Sequence, residues 1–312
     1  MGNKYRTIFL GTPAFSVPIL KFLAAATDVV LVVSQPDRRG GRGCKVCKPP
    51  VKEAAEALGI EVIQPAVVKG RRFADRIAGY APDFIVTAAF GRILGPSLLA
   101  VPQKKALNVH ASLLPKYRGA APANWAIING DETTGVCVME MVPKLDAGPV
   151  YYRDEIPILG TETAGELLER LSVLGAESIV ACIEQFDSIT PIPQKEDEAS
   201  YARVLNKSDG LIDWRKSAVE VSNHIRGMAP WPSAFTCISE IPYKIHRATP
   251  LEQDTHESPG TVVQSTGEGL DVACGQGVLR VTEIQAPGRK RMPIQTFLVG
   301  TPLSSGTRLC RS

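Results

Sequence analysis

The stretch TIFLGTPAFSVPILKFLAAATDVVLVVSQ, Thr7–Gln35, contains two apolar runs separated by a helical pattern. TIFLG and VVLVVSQ are short and rich in β-branched residues, which is typical of buried strands, whereas PAFSVPILKFLAAA has apolar residues at helical spacing. A strand, a helix and a second strand in this order predict a βαβ unit and therefore a parallel sheet.

The same alternation continues through the first half of the chain. The patterns predict helices over VKEAAEALG, KGRRFADRIAGY, AAPANWAIINGD and TAGELLERLSVLGAESIVACIEQF, and strands over EVIQP, DFIVTAAF and ALNVH. GVCVMEMV alternates in the manner of an antiparallel strand. We therefore expect a doubly wound, Rossmann-like α/β domain over residues 1–187.

The second half has a different pattern. SITPIPQKEDEASYARVLN mixes proline, charged and polar residues without periodicity, which predicts a linker over residues 188–206. After a helical stretch, WRKSAVEVSNHIRGM, five short strands follow: AFTCI, YKIHRAT, GTVVQS, GLDVACG and GVLRVTEIQ. Short strands separated by turn residues predict a small β-barrel of the oligonucleotide-binding (OB) type over residues 207–312.

The composition indicates a globular protein but does not identify a binding partner. The 312 residues carry a formal net charge of +3, with 44% hydrophobic and 21% charged residues, which is ordinary for a globular protein. No secretory signal or membrane span is visible, so we expect a cytoplasmic protein. We also expect a monomer. Cys44 and Cys47 form a CxxC pair, but the other five cysteines supply no second pair at zinc-site spacing, so we expect no metal.

The turn after the first strand argues against a nucleotide cofactor. GTPAFS has one glycine where the dinucleotide fingerprint needs G-x-G-x-x-G, and the chain has no G-x-x-x-x-G-K-[ST] phosphate loop. In an open α/β sheet the ligand nevertheless binds outside the carboxyl ends of the strands.

Polar side chains follow one of these predicted strands. In NVHASLLPKYRGAAP, Asn108 and His110 share a strand face, and PKLDAGP supplies Asp146 on a separate loop. An amide and an imidazole can stabilise a developing oxyanion and transfer a proton, with a carboxylate to orient the imidazole. The absence of G-x-S-x-G favours direct transfer to an external nucleophile. The alternative is a turn-capping asparagine and a core histidine.

NVHASLLPKYRGAAP followed by PKLDAGPV resembles the signature of the folate-dependent formyltransferases. FLGTPAFS, QPDRRGGRG with PPVK, TGVCVMEM and IDWRKSAVEVSNHIRGMAPWPSAF extend the resemblance over nearly the whole chain. The resemblance implies transfer of the formyl group of 10-formyltetrahydrofolate to the α-amino group of methionine on initiator tRNA. It also implies that Asn108 and His110 stabilise the tetrahedral intermediate, while Asp146 holds His110 in the useful tautomer and assists proton movement.

The resemblance further implies a folate site and a tRNA-binding loop. The folate would contact Phe90, Gly91, Ser112, Leu113, Leu114 and Pro115. The basic loop, Ser34–Lys52, would enter the acceptor-stem end of tRNA through residues that include Arg38, Arg39, Arg42 and Lys45, with Arg42 the most important. Cys44 and Cys47 depart from the polar or basic residues expected there, and the residue-level alternative is a solvated loop.

A second basic cluster, Arg289, Lys290 and Arg291, lies in APGRKRM, with Arg280 on the preceding strand. Basic residues on a barrel suit contacts with tRNA phosphates, although a solubilising turn would have the same composition.

Three rival functions leave different signatures. A sugar-nucleotide formyltransferase would have no use for the Arg42 loop. A formyltetrahydrofolate hydrolase would carry an amino-terminal regulatory domain, whereas the first strand here starts at Thr7. A non-catalytic RNA-binding module would lack the trio of Asn108, His110 and Asp146.

Overall fold

The structure, a computed structural model, describes residues 4–40 and 45–309, with only the backbone described at positions 39, 40 and 45. The chain forms two compact units. The first comprises the chain up to Pro122, Thr133–Ile156 and Leu168–Ala202, and the second comprises Ala123–Glu132, Pro157–Leu167 and the chain from Arg203.

The first unit has a central sheet and short accessory strands. Its strands are β1 (Arg6–Gly11), β2 (Asp28–Val33), β3 (Arg38–Gly40), β4 (Lys45–Cys47), β5 (Val62–Ile63), β6 (Phe84–Ala88), β7 (Lys105–His110), β8 (Arg118–Gly119), β9 (Thr133–Glu140), β10 (Val150–Pro157) and β11 (Tyr201–Ala202). Helices α1 (Ser16–Ala26), α2 (Pro50–Ala57), α3 (Arg71–Ala78) and α4 (Pro96–Leu99) also lie in it. Helix α6 (Ala164–Glu184) contributes residues to both units.

Seven strands form the central sheet in the order β10-β9-β7-β6-β1-β2-β5. The strands β1, β2, β5, β6 and β7 are parallel, and β9 runs antiparallel to β7. Strand β6 is buried along its whole length, as expected for a parallel strand covered on both faces. The predicted Rossmann-like α/β fold is therefore confirmed, including the antiparallel strand in GVCVMEMV.

Several features of the first unit were not predicted, including strands β8 and β11 and helix α4. Strand β10 alternates partly buried and exposed residues, but its sequence, VYYRDEIP, contains three charges and a proline that obscured the pattern. The described ends of the basic loop, β3 and β4, pair as antiparallel strands, with Arg38 opposite Cys47 and residue 40 opposite residue 45.

The second unit is built on an antiparallel sheet. Its helices are α5 (Pro122–Asn129), which belongs to this unit from Ala123 onward, α7 (Ala218–Gly227) and α8 (Ile294–Gly300). Its strands are β12 (Ala234–Ile238), β13 (Ile241–Leu251), β14 (Val262–Ser265), β15 (Leu270–Ala273), β16 (Val278–Gln285) and β17 (Met292–Pro293). The strand order is β12-β13-β16-β15-β14, and β17 pairs with β16. All five predicted strands are present, and the sheet is consistent with the predicted small barrel.

The segment predicted as a linker is divided between the units. Residues 188–202, called the connecting segment below, belong to the first unit, and residues 203–206 belong to the second. Within the connecting segment, β11 pairs in parallel with β8. Among the described helices, none has both the length and the apolar character required of a membrane span.

Candidate active site

Asn108 lies near the carboxyl end of β7, beside Thr87 on β6. The Thr87 hydroxyl lies 2.6 Å from Asn108 Oδ1, closer than to its two other neighbours, the Leu107 carbonyl and Met141 Sδ. Because a hydroxyl has one hydrogen, the short distance favours donation to the Asn108 oxygen. The Asn108 nitrogen is then the donor that remains for a ligand.

His110 ends β7 and its ring is almost completely buried. Its Nε2 lies 2.9 Å from the carbonyl oxygen of Tyr117. A carbonyl only accepts hydrogen bonds, so this contact places a proton on Nε2. In the neutral ring, Nδ1 is consequently the nitrogen that can accept a proton.

Asp146 approaches the opposite nitrogen of the same ring. Its Oδ2 lies 3.8 Å from His110 Nδ1, within ion-pair range but beyond a hydrogen bond, and it accepts a hydrogen bond from the Gly119 amide at 2.8 Å. The tautomer of His110 is thus set by the Tyr117 carbonyl, and the Asp146 carboxylate adds negative charge beside Nδ1.

The loop that carries Asp146 is tightly constrained. Asp146 has φ of 46°, in the left-handed region. A Cβ at Gly148 would lie 1.9 Å from the Glu140 carbonyl oxygen, so only glycine permits this approach of the loop to β9. The side-chain nitrogen of Gln194 donates to the carbonyls of Asp146 and Gly148 at 2.9 and 2.7 Å.

The predicted folate residues at the end of β6 form a defined turn. Phe90 is buried, and its carbonyl accepts from Gln35 Nε2 at 2.9 Å and from the Thr12 hydroxyl at 3.3 Å. Gly91 has φ of 76° and is exposed, and a Cβ there would lie 2.8 Å from Gln35 Nε2. Main chain at Gly91 is therefore accessible to a planar ligand without a side chain in the way.

The predicted folate residues after β7 separate into two groups. Ser112 is fully buried and donates to the Lys116 carbonyl at 2.6 Å, and Leu114 packs against Cys137 and Met139. Leu113 and Pro115 are partly exposed. The side chains of Leu113 and Pro115 are accessible to a ligand, whereas the buried side chains of Ser112 and Leu114 stabilise the turn from inside the protein.

The basic loop is described only in part. Arg42 and Cys44 lie outside the described residues. In the pairing of β3 with β4, the backbone of Arg39 lies opposite Val46, and that of Lys45 lies opposite Gly40. Arg38 is exposed and donates to Gln35 Oε1 at 2.6 Å. A cavity of about 290 Å³ adjoins this base of the loop and is lined by Thr12, Gln35, Pro36, Arg38, Cys47, Lys48 and Pro49.

The basic cluster of the second unit is partly neutralised. Arg291 forms an ion pair with Glu283, and Arg280 pairs with Asp271 and Glu268. The hydrogen bonds that Arg280 donates to the Asp271 carboxylate raise the pKa of Arg280 further above its usual range. The exposed Arg289 and Lys290 are consequently the stronger candidates for phosphate contacts.

The described side chains do not form a ligand set for a metal ion. Residues 4–40 and 45–309 contain no group of three His, Cys, Asp or Glu side chains arranged to hold a metal ion. Burial raises the pKa of Cys137 to about 11 and that of Cys182 to about 12, so both thiols stay protonated at neutral pH. Cys47 is exposed.

Four residues around the trio were not predicted as site residues: Thr87, Tyr117, Gly119 and Gln194. Tyr117 and Gly119 act through main-chain atoms, which a side-chain pattern does not reveal. Thr87 could have been found, since parallel pairing of DFIVTAAF with ALNVH brings it beside Asn108. Gln194 lies in a segment without periodicity and gave no signal.

Comparison with known proteins gives consistent matches over nearly the whole chain. The formyl transferase family matches residues 6–183, and the formyl transferase C-terminal domain matches residues 204–302. A methionyl-tRNA formyltransferase of Enterococcus faecalis is 44% identical over 299 residues, covering 95% of this chain and 96% of the relative. One of Gluconobacter oxydans is 45% identical, covering 97% and 99%.

Solved structures share the fold at low sequence identity. WlaRD, a sugar 3N-formyl transferase solved with dTDP and 5-N-formyl-THF, has a TM-score of 0.66 at 18% identity and covers 93% of this chain and 100% of that one. HypX from Aquifex aeolicus in complex with tetrahydrofolic acid has a TM-score of 0.60 at 17% identity and covers 95% and 47%. Matches to both domain families and more than 40% identity along nearly the full length show that this chain belongs to the formyl transferase family.

Proposed function

We propose that the chain transfers the formyl group of 10-formyltetrahydrofolate to the α-amino group of methionine carried on initiator tRNA. The observation that carries the proposal is the full-length similarity to methionyl-tRNA formyltransferases, 44% over 95% of the chain. The juxtaposition of Asn108, His110 and Asp146 supports it, because these groups suit acyl transfer to an amine.

Asn108 would stabilise the negative charge that forms when the amine attacks the formyl carbon. Its oxygen is occupied by the Thr87 hydroxyl at 2.6 Å, which leaves the amide nitrogen as a fixed donor for the developing oxyanion. Because Thr87 holds the amide in place beforehand, little reorganisation is needed during the reaction.

His110 would take the proton that the attacking amine loses. Its Nε2 proton is committed to the Tyr117 carbonyl, so the incoming proton goes to Nδ1. The resulting imidazolium would be stabilised by Asp146 Oδ2, 3.8 Å from Nδ1. The proton can then pass to the departing nitrogen of the folate, which completes the transfer without a covalent enzyme intermediate.

The folate supplies the activated formyl group and would bind along the carboxyl ends of β6 and β7. Main chain around Phe90 and Gly91 would lie against the pterin, with Leu113 and Pro115 at the side. The tRNA would be bound by two regions: the basic loop with Arg38, Arg39, Arg42 and Lys45, and the cluster of Arg289, Lys290 and Arg291. We further propose that the enzyme acts as a monomer in the cytoplasm.

Formyl transfer from 10-formyltetrahydrofolate tests the proposal directly. The acceptors are methionyl initiator tRNA, the same tRNA uncharged, and a dTDP-linked amino sugar. We expect formylation of the charged tRNA alone. Formylation of the amino sugar without formylation of methionyl-tRNA would overturn the proposal in favour of a sugar formyltransferase.

A further inference from the structure

A chain of hydrogen bonds connects the connecting segment to the loop of Asp146. Arg118 is fully buried, and its Nη1 donates to both carboxylate oxygens of Glu196 at 3.0 and 3.1 Å. Its Nε donates to Gln194 Oε1 at 3.0 Å. Because a guanidinium only donates, it fixes which end of the Gln194 amide faces it.

The other end of the Gln194 amide is therefore directed at the Asp146 loop. Both of its hydrogens are used, one on the Asp146 carbonyl and one on the Gly148 carbonyl. Both acceptors belong to the loop that adopts a left-handed conformation at Asp146. Gln194 thus holds the backbone from which the Asp146 carboxylate extends.

The connecting segment also supports the histidine. The Ser200 hydroxyl accepts from the Tyr117 amide at 2.9 Å, and the Ser200 carbonyl accepts from the Arg118 amide at 2.9 Å. Tyr117 in turn places its carbonyl on His110, and the Gly119 amide binds the Asp146 carboxylate. Residues 117–119, which the connecting segment holds, therefore supply the partner of His110 Nε2 and bind the Asp146 carboxylate that lies beside Nδ1.

We propose that Gln194, oriented by Arg118, is a positioning residue for formyl transfer that keeps the Asp146 carboxylate beside His110. This inference rests on the proposed function, since it assigns Gln194 a role in that reaction. The described hydrogen bonds of Gln194 link Arg118 to the carbonyls of Asp146 and Gly148, so we infer that its effect on His110 passes through Asp146. Displacement of a catalytic group by about 1 Å can lower a rate about 10²-fold, so even a small shift of this loop is measurable.

Gln194→Met keeps the length of the side chain and removes its hydrogen bonds. We expect kcat to fall at least about tenfold, with KM for 10-formyltetrahydrofolate and for methionyl-tRNA changed less than about twofold, because positioning affects the chemical step. Gln194→Glu, which retains an oxygen for Arg118 but faces the two carbonyls with a second oxygen, should show the same loss. Lys195→Met is the matched control, since the exposed Lys195 pairs only with Glu198 among the described contacts, and its kcat should be unchanged.

A double-mutant cycle separates positioning from a general structural role. If Gln194 acts through Asp146, Gln194→Met should lower kcat little further in an Asp146→Asn background. An equal fold-loss in both backgrounds, or a raised KM with unchanged kcat, would overturn the proposal.

Amide hydrogen exchange at Gly119 provides a readout that does not depend on activity. The Asp146 carboxylate accepts from this amide, so Gln194→Met and Gln194→Glu should both reduce its protection, whereas Lys195→Met should not. Unchanged protection in both Gln194 variants would contradict the positioning role. If the unaltered chain formylates no methionyl-tRNA, the proposed function fails, and the exchange result still decides whether Gln194 holds the loop.

Discussion

The trio site and the basic loop are both polar regions at the edge of the same sheet, yet they are organised differently. Asn108, His110 and Asp146 each have a fixed partner on a neighbouring strand or turn, and the His110 ring is almost completely buried. Arg38, at the base of the loop, is exposed, and among the described contacts its side chain is bound only through a hydrogen bond to Gln35. A site that performs chemistry benefits from preorganisation, whereas a surface that recognises a large polyanion can gain its order from the partner.

The largest effect is expected in the preorganised trio site. Asn108→Ala and His110→Ala should each lower kcat by about 10²–10³, because each removes a group that stabilises the transition state. The measurement is single-turnover formylation of methionyl-tRNA, with thermal midpoints as a check on folding. Full activity in either variant would exclude that residue from the mechanism.

The next effect concerns the stability of the same region. Arg118→Met should lower the free energy of unfolding by about 2–3 kcal/mol, since a buried guanidinium that donates to Glu196 and Gln194 is replaced by an apolar chain. Urea denaturation measures the change.

Lys144→Met is the matched control for Arg118→Met. Lys144 pairs with the same Glu196 carboxylate, but 58% of its side chain is exposed. Its loss should cost less than about 1 kcal/mol, as is usual for exposed ion pairs. Equal losses in the two variants would show that burial of Arg118 adds nothing.

The difference between the regions also explains what the sequence could predict. The parallel strands and the pair Asn108 and His110 follow from local patterns, because strand periodicity fixes which side chains share a face. Gln194 and Tyr117 could not be predicted, since their roles depend on contacts between segments far apart in sequence or on main-chain atoms. Strand β10 was missed because its charged residues fall on both faces: Arg153 and Glu155 are exposed, and Asp154 lies on the partly buried face, so the sequence shows no alternation of polar and apolar residues.

A smaller effect is expected on the recognition side. Arg42→Ala should lower kcat/KM for methionyl initiator tRNA about tenfold, equivalent to about 1.4 kcal/mol, while the affinity for 5-formyltetrahydrofolate stays unchanged. This residue is assigned from the sequence motif QPDRRGGRG, and its effect would show that the loop contributes to tRNA use independently of the folate site. Unaltered kinetics with initiator tRNA would reduce the loop to a solvated surface.

The smallest effect is expected in the second unit, where basic residues with and without an ion-pair partner among the described contacts can be compared. Arg289 and Lys290 are exposed, whereas Arg291 is already paired with Glu283. Replacing Arg289 or Lys290 by Gln should reduce the slope of log Kd for tRNA against log salt by about one unit per lost phosphate contact, and should weaken binding of initiator and elongator tRNA equally. Arg291→Gln should change the slope less, because binding to phosphate would first have to break its ion pair. Filter binding of both tRNAs at several salt concentrations measures the three slopes. A larger change for Arg291 than for its two neighbours would mean that Glu283 orients Arg291 toward the tRNA instead of neutralising it.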